Sequence, residues 1–402
     1  MSQPLAGVKV IEIGQEIQGP FAGLILGDLG ADVVKIENRT TGDLSRWALA
    51  GRGVDDVPNA DVSPYFIAMN RGKRSITLDL KRPEALEIVR RLAAERDVVL
   101  TNYRPGVLDR LGIGFEGLRE VNPRIIFAQG SSWGPAGPWV SRPSRDILAQ
   151  AASGLLAKGG FEGGPPLPAP FAVADTSGGM SLAMGILAAL FARERTGEAQ
   201  KVDVSIYGTM IALQAWEVNY TSLTGREPGR SGRGHQFIQG LWGAFPTRDG
   251  HIAFAAVDDR RWPAFCRVLG IEHLREDERF NGGRQRQLNG DAIRAEVEAV
   301  LPARTTAAWL EGLNAADVLA TEVVDYRAVL ASEQAHANGY IRPMHHPTAG
   351  EINVSGSPIS LNGALPGEAA PPPEHGQQTE ELLLELGYSW EQIAQLRAAE
   401  AI

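Results

Sequence analysis

The sequence predicts an α/β fold, in which a large Rossmann-like domain with a parallel sheet is joined to a smaller α+β domain. Two observations support this prediction. Short apolar stretches alternate with helical patterns through the first 131 residues, and such alternation is typical of a parallel sheet covered on both faces. The chain has 402 residues, whereas a single hydrophobic core rarely keeps growing past about 250–300 residues, so we expect two domains.

The elements of the first domain follow one another with short connections. The apolar segment 8–14 predicts a strand, 20–29 predicts a helix, and 31–37 predicts the next strand. Pro83 fits the first turn of a helix over 82–97, because backbone N–H groups of the first turn have no partner within the helix. The same patterns predict strands at 74–80, 98–102 and 124–131, and helices at 106–112, at 144–158 and after Asp175.

Changes in composition indicate where the domains meet. We expect a large domain over 1–205, completed by about 335–402, and a small domain over 229–315. Linkers are expected at 206–228, which leads into polar, glycine- and arginine-rich sequence, and at 316–334. The small domain opens with a hairpin that has Asp249 and Gly250 at its turn, and later segments predict strands within 344–361, a proline-rich extended segment at 366–376 and a helix pair at 379–399.

Bulk composition narrows the class of protein. A single cysteine, Cys266, excludes a disulfide framework and fits a reducing compartment, and the lack of clustered Cys and His predicts that no metal is bound. The N-terminus lacks the pattern of a signal peptide, and the longest apolar run, at 178–192, is too short to span a bilayer. We therefore expect a cytoplasmic protein without a membrane partner.

The distribution of charge argues against nucleic acid as a partner. The net charge is −9, and the first 200 residues hold 22 basic and 22 acidic side chains, so the second half has the whole acidic excess. No basic face stands out, as a nucleic-acid-binding surface would need. The neutral first half is better suited to a small polyanionic molecule.

Several common kinds of site are excluded by the motifs that are missing. The first strand, turn and helix imitate a dinucleotide site, but the turn GQEIQGP (14–20) has bulky residues in place of glycines, so no nicotinamide or flavin cofactor is expected. GxSxG and Walker A motifs are absent, which excludes a hydrolase serine and an NTPase loop. All seven histidines follow residue 234, and the adjacent His345 and His346 would point to opposite faces of a strand.

Asp175 lies in the segment DTSGG (175–179), directly before a long apolar helix, and two roles are open to it. Asp, Thr and Ser are favoured helix N-caps, so the carboxylate could simply cap this helix. Alternatively, backbone N–H groups and the helix dipole keep the carboxylate ionised, while Gly178 and Gly179 let a thioester approach the backbone. An ionised carboxylate can act as a covalent nucleophile in acyl transfer. The residues alone do not choose between these roles.

Nearly the whole chain resembles the family III CoA-transferases, whose superfamily also includes α-methylacyl-CoA racemases. The matching segments occur in the family's order: PLAGVKVIEIG with GPFAGLILGDLGADVVKIE, NRGKRSITLDLK, TNYRPGVLDRLGIG, NPRIIFAQGSSWGPAGP, RPSRDILAQAASGLL, DTSGGMSLAMGILAALFARERTGEAQKVDVSIY and GYSWEQIAQL. The resemblance implies an enzyme that moves CoA from an acyl-CoA to a free carboxylic acid, with Asp175 as nucleophile and aspartyl anhydride and aspartyl-CoA thioester intermediates. It also implies CoA and acyl-CoA as substrates, no tightly bound cofactor, and an interlocked homodimer.

The resemblance further implies which residues contact CoA and the reacting acids. Arginine suits the phosphate groups of CoA because its planar fork donates paired hydrogen bonds. The implied CoA contacts are Glu16, Ile17, Gln18, Asn38, Arg39, Leu78, Asn102, Tyr103, Arg110 and Arg142. The implied substrate-side residues are Arg145, Gly178, Gly179, His235 and Gln236.

Two alternatives to a transferase stay open. Racemases of the superfamily use a His/Asp pair to move a proton, but this chain has Arg145 in place of the histidine, and arginine does not act as a base near neutral pH. The second alternative is a CoA-binding protein without activity, which the intact Asp175 and its two glycines oppose. The sequence does not specify the donor or the acceptor acid, although Arg145, Arg233 and His235 motivate the hypothesis of a dicarboxylic acid.

Overall fold

The chain folds into two compact units, which we describe separately. The computed structural model describes residues 3–47, 62–238, 240–255, 257–364 and 369–402. The first unit is formed from 1–153, 170–213 and 330–402, and the second from 154–169 and 214–329.

A six-stranded parallel sheet forms the centre of the first unit. Its strands are β1 (Lys9–Ile13), β2 (Asp32–Asn38), β3 (Arg74–Leu78), β4 (Val98–Thr101), β5 (Ile126–Ser131) and β6 (Gln200–Ser205). The order in the sheet is β3-β2-β1-β4-β5-β6, and each neighbouring pair is parallel. This confirms the predicted Rossmann-like sheet, in which the strand order reverses between β1 and β4.

The helices are numbered along the chain. They are α1 (Gln18–Asp28), α2 (Pro64–Asn70), α3 (Pro83–Ala94), α4 (Val107–Arg110), α5 (Phe115–Arg119), α6 (Asp146–Ala152), α7 (Leu155–Lys158), α8 (Val173–Thr196), α9 (Ile206–Leu213), α10 (Ala215–Thr224), α11 (Trp262–Leu269), α12 (Gly283–Leu288), α13 (Gly290–Val300), α14 (Thr306–Ala315), α15 (Tyr326–Leu330), α16 (Glu333–Ala337), α17 (Thr379–Glu385) and α18 (Trp390–Ala398). As predicted, Pro83 is the first residue of α3, and the C-terminal segment forms a helix pair.

Adjacent residues of the strands enter two different cores, one on each face of the sheet. Val10 and its equivalents pack with α1 and α8, whereas Ile11 and its equivalents pack with α3, α5, α17 and α18. Both faces are covered, so most residues of β1 to β5 are buried, including polar ones such as Glu12 and Lys35. Burying a side chain such as Ile11, which is 0 % exposed, stabilises the fold by about 1.5–3 kcal/mol.

The second unit has its own core and a three-stranded antiparallel sheet. The strands are β7 (Trp242–Pro246), β8 (His251–Ala255) and β9 (Ala320–Glu322), in that order. The predicted hairpin turn is confirmed, because the N–H of Thr247 donates to the carbonyl oxygen of Gly250 at 2.9 Å. In the first unit, β10 (Ile341–His346) and β11 (Gly350–Ser355) form a separate antiparallel pair.

Some local predictions differ from the structure. The single helix predicted over 144–158 is two helices, since Gly154 has a φ of 91° and ends the first of them. Residues of the predicted linker 206–228 form the helices α9 and α10. Of the proline-rich segment 366–376, residues 366–368 lie outside the described residues.

Helix α8 is longer than its apolar run predicted. It has 24 residues and is long and apolar enough to cross a membrane by length and composition, so the prediction of a run too short to do so is wrong. Within the first unit, one face of α8 is buried against α1 and the sheet. Its other face leaves Met180, Met184 and Phe191 between 50 % and 66 % exposed.

Candidate active site

A cavity of about 700 Å³ lies at the carboxyl ends of four adjacent strands, β1, β4, β5 and β6. Open parallel sheets bind ligands at this edge, beside the point where the strand order reverses, which here falls between β1 and β4. We call this space the Asp175 cavity. It brings together eight of the residues that the resemblance implies: Glu16, Ile17, Gln18, Asn102, Tyr103, Arg142, Arg145 and Asp175.

The loop between β1 and α1 is fixed to the end of β4. Asn102 donates from Nδ2 to the carbonyl oxygen of Gln15 at 2.8 Å, and its Oδ1 accepts from the N–H of Gln15 at 3.0 Å. A Cβ on Gly14 would lie 2.9 Å from that Oδ1, so this approach needs glycine. Glu16 follows with a φ of 66°, which is uncommon outside glycine, and its N–H donates to Asp43 Oδ1 at 3.1 Å.

Buried charges support this loop. Lys35 Nζ lies 2.8 Å from Glu12 Oε1 and 2.7 Å from Asp43 Oδ2, and it donates to the carbonyl oxygen of Gly14 at 2.9 Å. Lys73 donates to the second oxygen of Glu12 at 2.7 Å. Burial alone would lower the pKa of Lys35, but the carboxylates of Glu12 and Asp43 raise it above its ordinary value. We call Glu12, Lys35, Asp43 and Lys73 the buried charge network.

Asp175 is the third residue of α8, and its carboxylate does not cap that helix. The helix begins at Val173, and the N–H groups of Ala174 and Asp175 donate to Asp146 Oδ1 at 2.8 and 2.9 Å. Asp146 is the first residue of α6, so a side chain from another helix caps α8. No residue that the structure describes donates a hydrogen bond to the Asp175 carboxylate. The interpretation of Asp175 as a helix cap is therefore wrong.

The surroundings of Asp175 oppose its ionisation. Burial raises the pKa of its carboxyl group, the carboxylates of Asp146 and Glu16 raise it further, and Arg145 lowers it, which leaves the pKa at about 7. The expectation that the helix N-terminus keeps this carboxylate fully ionised at neutral pH is corrected, because desolvation and two neighbouring acids outweigh the helix. Near pH 7 the group is divided between its neutral and its charged form.

Arg145 and Glu16 form an ion pair in the wall of the Asp175 cavity. Arg145 Nη1 donates to Glu16 Oε2, and the two side chains are 65 % and 26 % exposed. The same charges act on the hydroxyl of Tyr65. Burial and the carboxylates of Glu16 and Asp175 raise its pKa above the ordinary value. Neither Tyr65 nor the capping residue Asp146 was found from the sequence, because no motif marks α2 and the partner of Asp146 is distant in the chain.

Gly178 and Gly179 are packing residues in this structure. Both are buried, and a Cβ on Gly179 would lie 2.8 Å from the carbonyl oxygen of Gln18, while one on Gly178 would lie 2.6 Å from Ile206 Cγ2. The expectation that they admit a thioester is corrected, because protein atoms already occupy the space beside them. Gln18 is 4 % exposed, and its Nε2 has no hydrogen-bond partner among the described residues.

Aromatic rings hold Arg142 in the cavity wall. Its guanidinium lies 5.4 Å from the ring centre of Trp133 and 5.2 Å from that of Trp139, distances at which a cation is attracted to a ring face. Trp133 Nε1 also donates to the carbonyl oxygen of Arg142 at 3.0 Å. Both tryptophans lie in the segment WGPAGPW (133–139). Their contact with Arg142 could not be predicted from the sequence, because it depends on how the loop after β5 folds back.

A second, smaller cavity of about 130 Å³ in the first unit contains two other predicted CoA contacts. Asn38 and Leu78 lie in its wall, at the ends of β2 and β3. Tyr103 lines both this cavity and the Asp175 cavity. The three residues therefore mark a path along the carboxyl edge of the sheet.

Two predicted arginines lie apart from both of these cavities. Arg39 donates to the main-chain oxygen of Ile402 at 3.0 Å and lies 3.4 Å from Glu400 Oε1, so its guanidinium is occupied by the C-terminal residues. Arg110 is exposed at the end of α4. Neither residue lines the Asp175 cavity or the smaller one, so their contact with CoA stays a prediction.

His235, Gln236 and Arg233 belong to the second unit, where they line a cavity of about 610 Å³. His235 Nε2 lies 3.3 Å from Glu217 Oε1, and Gln236 donates to the same oxygen at 2.9 Å. Arg233 donates to Glu298 Oε1 at 2.5 Å. Each of the three side chains thus has a partner within its own unit, and none lines the Asp175 cavity.

The described residues contain no group of three His, Cys, Asp or Glu side chains that could hold a metal ion. His345 and His346, adjacent in β10, have different partners: His345 Nδ1 lies 2.7 Å from Glu351 Oε1, and His346 Nδ1 accepts from the N–H of Thr348. The chemistry of the Asp175 cavity is that of a carboxylate with amide and guanidinium donors around it.

Comparisons with known proteins all point to one family. The family model described as CoA-transferase family III matches residues 5–379. The chain is 32 % identical over 403 residues to the human succinyl-CoA:glutarate CoA-transferase, covering 100 % of this chain and 90 % of that protein. It is 34 % identical over 361 residues to the acetyl-CoA:oxalate CoA-transferase of Acetobacter aceti, covering 90 % of each. A crystal structure of a CAIB/BAIF family protein from Brucella suis superposes with a TM-score of 0.85 at 30 % identity, covering 96 % of this chain and 100 % of that one.

Proposed function

The chain belongs to CoA-transferase family III, and we propose that it moves CoA from an acyl-CoA to a free carboxylic acid by covalent catalysis at Asp175. One observation supports this above the others. The Asp175 carboxylate lies in the wall of a cavity of about 700 Å³, has no hydrogen-bond donor among the described residues, and has a pKa of about 7. A carboxylate without a structural partner is available to a substrate, and perturbed pKa values concentrate at such sites.

The first half of the proposed cycle loads CoA onto the enzyme. An oxygen of ionised Asp175 attacks the thioester carbonyl carbon, and the C–S bond breaks as the C–O bond forms. This gives a mixed anhydride and free CoA thiolate. The thiolate then attacks the aspartyl carbonyl carbon, so that the donor acid leaves as a carboxylate and Asp175 becomes a thioester of CoA.

The second half transfers CoA to the acceptor. The acceptor carboxylate attacks the aspartyl thioester, the CoA thiolate leaves, and a second anhydride links Asp175 to the acceptor. The thiolate attacks the acceptor's carbonyl carbon, which releases the new acyl-CoA and restores the Asp175 carboxylate. Each step exchanges one oxyanion or thiolate for another, so the complete cycle needs no net proton transfer.

Gln18 is suited to stabilise the tetrahedral intermediates of these steps. Its Nε2 is a buried donor without a partner among the described residues, and it lies beside the first turns of α8, which hold Asp175. A donor that is already oriented toward developing negative charge can accelerate acyl transfer by about 100- to 1000-fold. A buried donor without an acceptor is costly, so the acceptor of Gln18 Nε2 is expected to be an atom of the bound substrate.

The path along the sheet edge is suited to CoA. Tyr103 lines both cavities, Asn38 and Leu78 lie in the smaller one, and Arg142 lies in the larger one. We propose that CoA extends along this path with its thiol end toward Asp175. The guanidinium of Arg142, already oriented by Trp133, provides paired donors for a phosphate group.

The acceptor acid is proposed to be dicarboxylic. The human relative is named for succinate and glutarate and the bacterial one for oxalate, each of which has two carboxyl groups. A homodimer is proposed as well, since the exposed apolar side chains of α8, such as Met184 and Phe191, fit burial by a second copy of the chain. Cytoplasmic location stays a prediction from composition.

Proton transfer of the racemase type has less support. No histidine lies in the described wall of the Asp175 cavity, and Arg145 is ion-paired with Glu16. A racemase needs one group that takes a proton and another that gives one. The wall therefore favours a nucleophilic carboxylate over a pair of bases.

Mass spectrometry after incubation with acetyl-CoA or succinyl-CoA tests the proposed function. We expect hydroxylamine or borohydride to trap a modification on the peptide that contains Asp175, and we expect Asp175→Ala to abolish it. Asp277→Ala is the matched control, because Asp277 lies in the second unit and pairs with Arg279. No trapped modification in the wild-type enzyme, despite binding of CoA, would contradict covalent catalysis and favour a protein that only binds CoA.

A further inference from the structure

Arg145 has unused hydrogen-bonding capacity in the Asp175 cavity. A guanidinium has five N–H donors in a planar fork. In this structure one nitrogen of Arg145, Nη1, donates to Glu16 Oε2, and no other side-chain hydrogen bond of Arg145 is made within the described residues. The side chain is 65 % exposed and lines the cavity. Most of the fork is therefore accessible to a molecule inside the cavity.

Glu16 is a firm anchor for this guanidinium. Its backbone has a φ of 66°, and its N–H donates to Asp43 Oδ1, which also accepts from the N–H and the hydroxyl of Ser45, each at 2.8 Å. Asp43 is in turn held by Lys35 at 2.7 Å. The carboxylate of Glu16 thus extends from a loop that the buried charge network fixes, and it holds Arg145 at one nitrogen.

Resting on the proposed function, we propose that Arg145, oriented by Glu16, binds the second carboxylate of a dicarboxylic substrate while the first reacts at Asp175. The free edge of the guanidinium matches a carboxylate through two parallel hydrogen bonds. Arg145 then binds the carboxylate of the substrate that does not react, and Glu16 is a positioning residue that acts through Arg145.

Arg145 fits this role better than the other two arginines of the cavity wall. The guanidinium of Arg142 already lies against Trp133 and Trp139. Arg104 is exposed in the loop after β4, and of the three arginines Arg145 has the largest effect on the ionisation of Asp175. Arg145 lowers the pKa of Asp175, so its charge lies within electrostatic reach of the reacting carboxylate.

Charge also supports the assignment. The reacting end already has Asp175, with the carboxylates of Glu16 and Asp146 acting on it. A second substrate carboxylate placed there without a cation would add to this repulsion, whereas Arg145 provides a cation whose side chain has one partner among the described residues. A monocarboxylic acid leaves the free edge of Arg145 in water, so we expect dicarboxylic acids to be preferred by about 10- to 100-fold in kcat/KM, the effect of one charge-assisted paired contact.

The test compares dicarboxylic with monocarboxylic acceptors of equal chain length: glutarate with valerate, and succinate with butyrate. Acetyl-CoA is the donor throughout, and KM and kcat are measured separately for the wild type, Arg145→Gln, Arg145→Lys and Glu16→Gln. Arg104→Gln is the matched control, since it removes another exposed cation from the same cavity wall. Because Arg145 is largely exposed, its variants are expected to fold, and circular dichroism checks this.

We expect Arg145→Gln to remove most of the preference for the dicarboxylic acid, mainly through a higher KM for the diacid. Arg145→Lys should restore part of it, because lysine keeps the charge and loses the fork. Glu16→Gln should weaken the preference less than Arg145→Gln, and Arg104→Gln should keep the wild-type ratio. An unchanged ratio in Arg145→Gln, or a wild-type enzyme without preference, would overturn the inference.

A parallel experiment separates this inference from the proposed function. Formation of the Asp175 adduct from acetyl-CoA requires no second carboxylate, so trapping it reports on covalent catalysis alone. If the wild type forms this adduct and the diacid preference does not depend on Arg145, the role of Arg145 is wrong and the proposed function stands. If the wild type forms no adduct, the proposed function fails first.

Discussion

The two charged regions around the β1–α1 loop differ in how completely their groups are paired. In the buried charge network each lysine contacts at least one carboxylate within 2.8 Å, and Glu12 and Lys35 are 0 % exposed. In the wall of the Asp175 cavity, Arg145 uses one nitrogen and Asp175 has no donor among the described residues. The same kinds of side chain therefore stabilise a loop in one region and stay available to substrate in the other.

This difference shows how the fold separates structural charges from reactive ones. Burial is tolerable for the network because its charges neutralise each other and bond to main-chain oxygens. At Asp175 burial is only partly offset by Arg145, and burial together with the carboxylates of Asp146 and Glu16 raises the pKa of the carboxyl group to about 7. The buried charge network fixes the β1–α1 loop. The groups in the wall of the Asp175 cavity keep hydrogen-bonding capacity that a substrate can use.

Breaking the buried charge network should give the largest effect on stability. Lys35→Met leaves Glu12 and Asp43 as buried carboxylates without their shared cation, and we expect the free energy of unfolding to fall by about 3–5 kcal/mol. Chemical denaturation measures this. Lys201→Met is the control, because Lys201 is 45 % exposed and such a change is expected to stay within about 0.5 kcal/mol. Equal effects of the two variants would show that the network does not stabilise the loop.

Filling the space beside α8 tests how the reactive region is packed. The Cβ of Gly179→Ala would meet the carbonyl oxygen of Gln18 at 2.8 Å, so we expect a loss of about 1–3 kcal/mol and slower acylation of Asp175. Thermal unfolding and single-turnover trapping measure the two effects. Gly282→Ala is the control, since its added Cβ would meet nothing within 4 Å. A variant with normal stability and normal acylation would contradict the close contact.

Substitutions of Asp146 and Asp175 should affect stability differently although both carboxyl groups lie near the first turn of α8. Asp146→Ala removes the acceptor of two N–H groups, and we expect it to cost about 0.5–2 kcal/mol. Asp175→Ala removes no side-chain hydrogen bond between described residues, so it should not destabilise the protein at pH 8. Thermal unfolding of both variants decides this, and a loss of stability in Asp175→Ala equal to that in Asp146→Ala would return Asp175 to the role of a cap.

A smaller effect on stability should appear as a dependence on pH. The folded state raises the pKa of Asp175 from its ordinary value near 3.8 to about 7, so it binds a proton more tightly than the unfolded state does. The contribution of Asp175 to the free energy of unfolding is therefore fully present below about pH 4, and it is lost as the pH rises to about 7. Asp175→Asn should remove that loss, gaining about 1–2 kcal/mol at pH 8 and little at pH 4, allowing for partial exposure to solvent. A gain that does not depend on pH would contradict the shifted pKa.

The parallel sheet could be predicted from the sequence because short segments rich in apolar residues, such as 8–14 and 31–37, alternate with helical patterns. The family resemblance grouped Glu16, Asn102 and Tyr103 as CoA contacts, and they line one cavity because the loops after parallel strands meet at one edge of the sheet. Asp146 and Tyr65 could not, since their relation to Asp175 depends on how α6 and α2 pack. Gly178 and Gly179 were misjudged for the same reason, because the atoms that occupy the space beside them come from α1 and α9.

The measurement that tests the central claim most directly is the pH dependence of Asp175 acylation by acetyl-CoA in single turnover, followed by trapping and mass spectrometry. The carboxylate attacks only when ionised, so the rate should rise about tenfold per pH unit below pH 6, reach half its maximum near pH 7 and level off above it. A rate that is constant from pH 5 to pH 9, in an enzyme that stays folded, would contradict the claim that Asp175 is an unpaired nucleophile held near its point of ionisation.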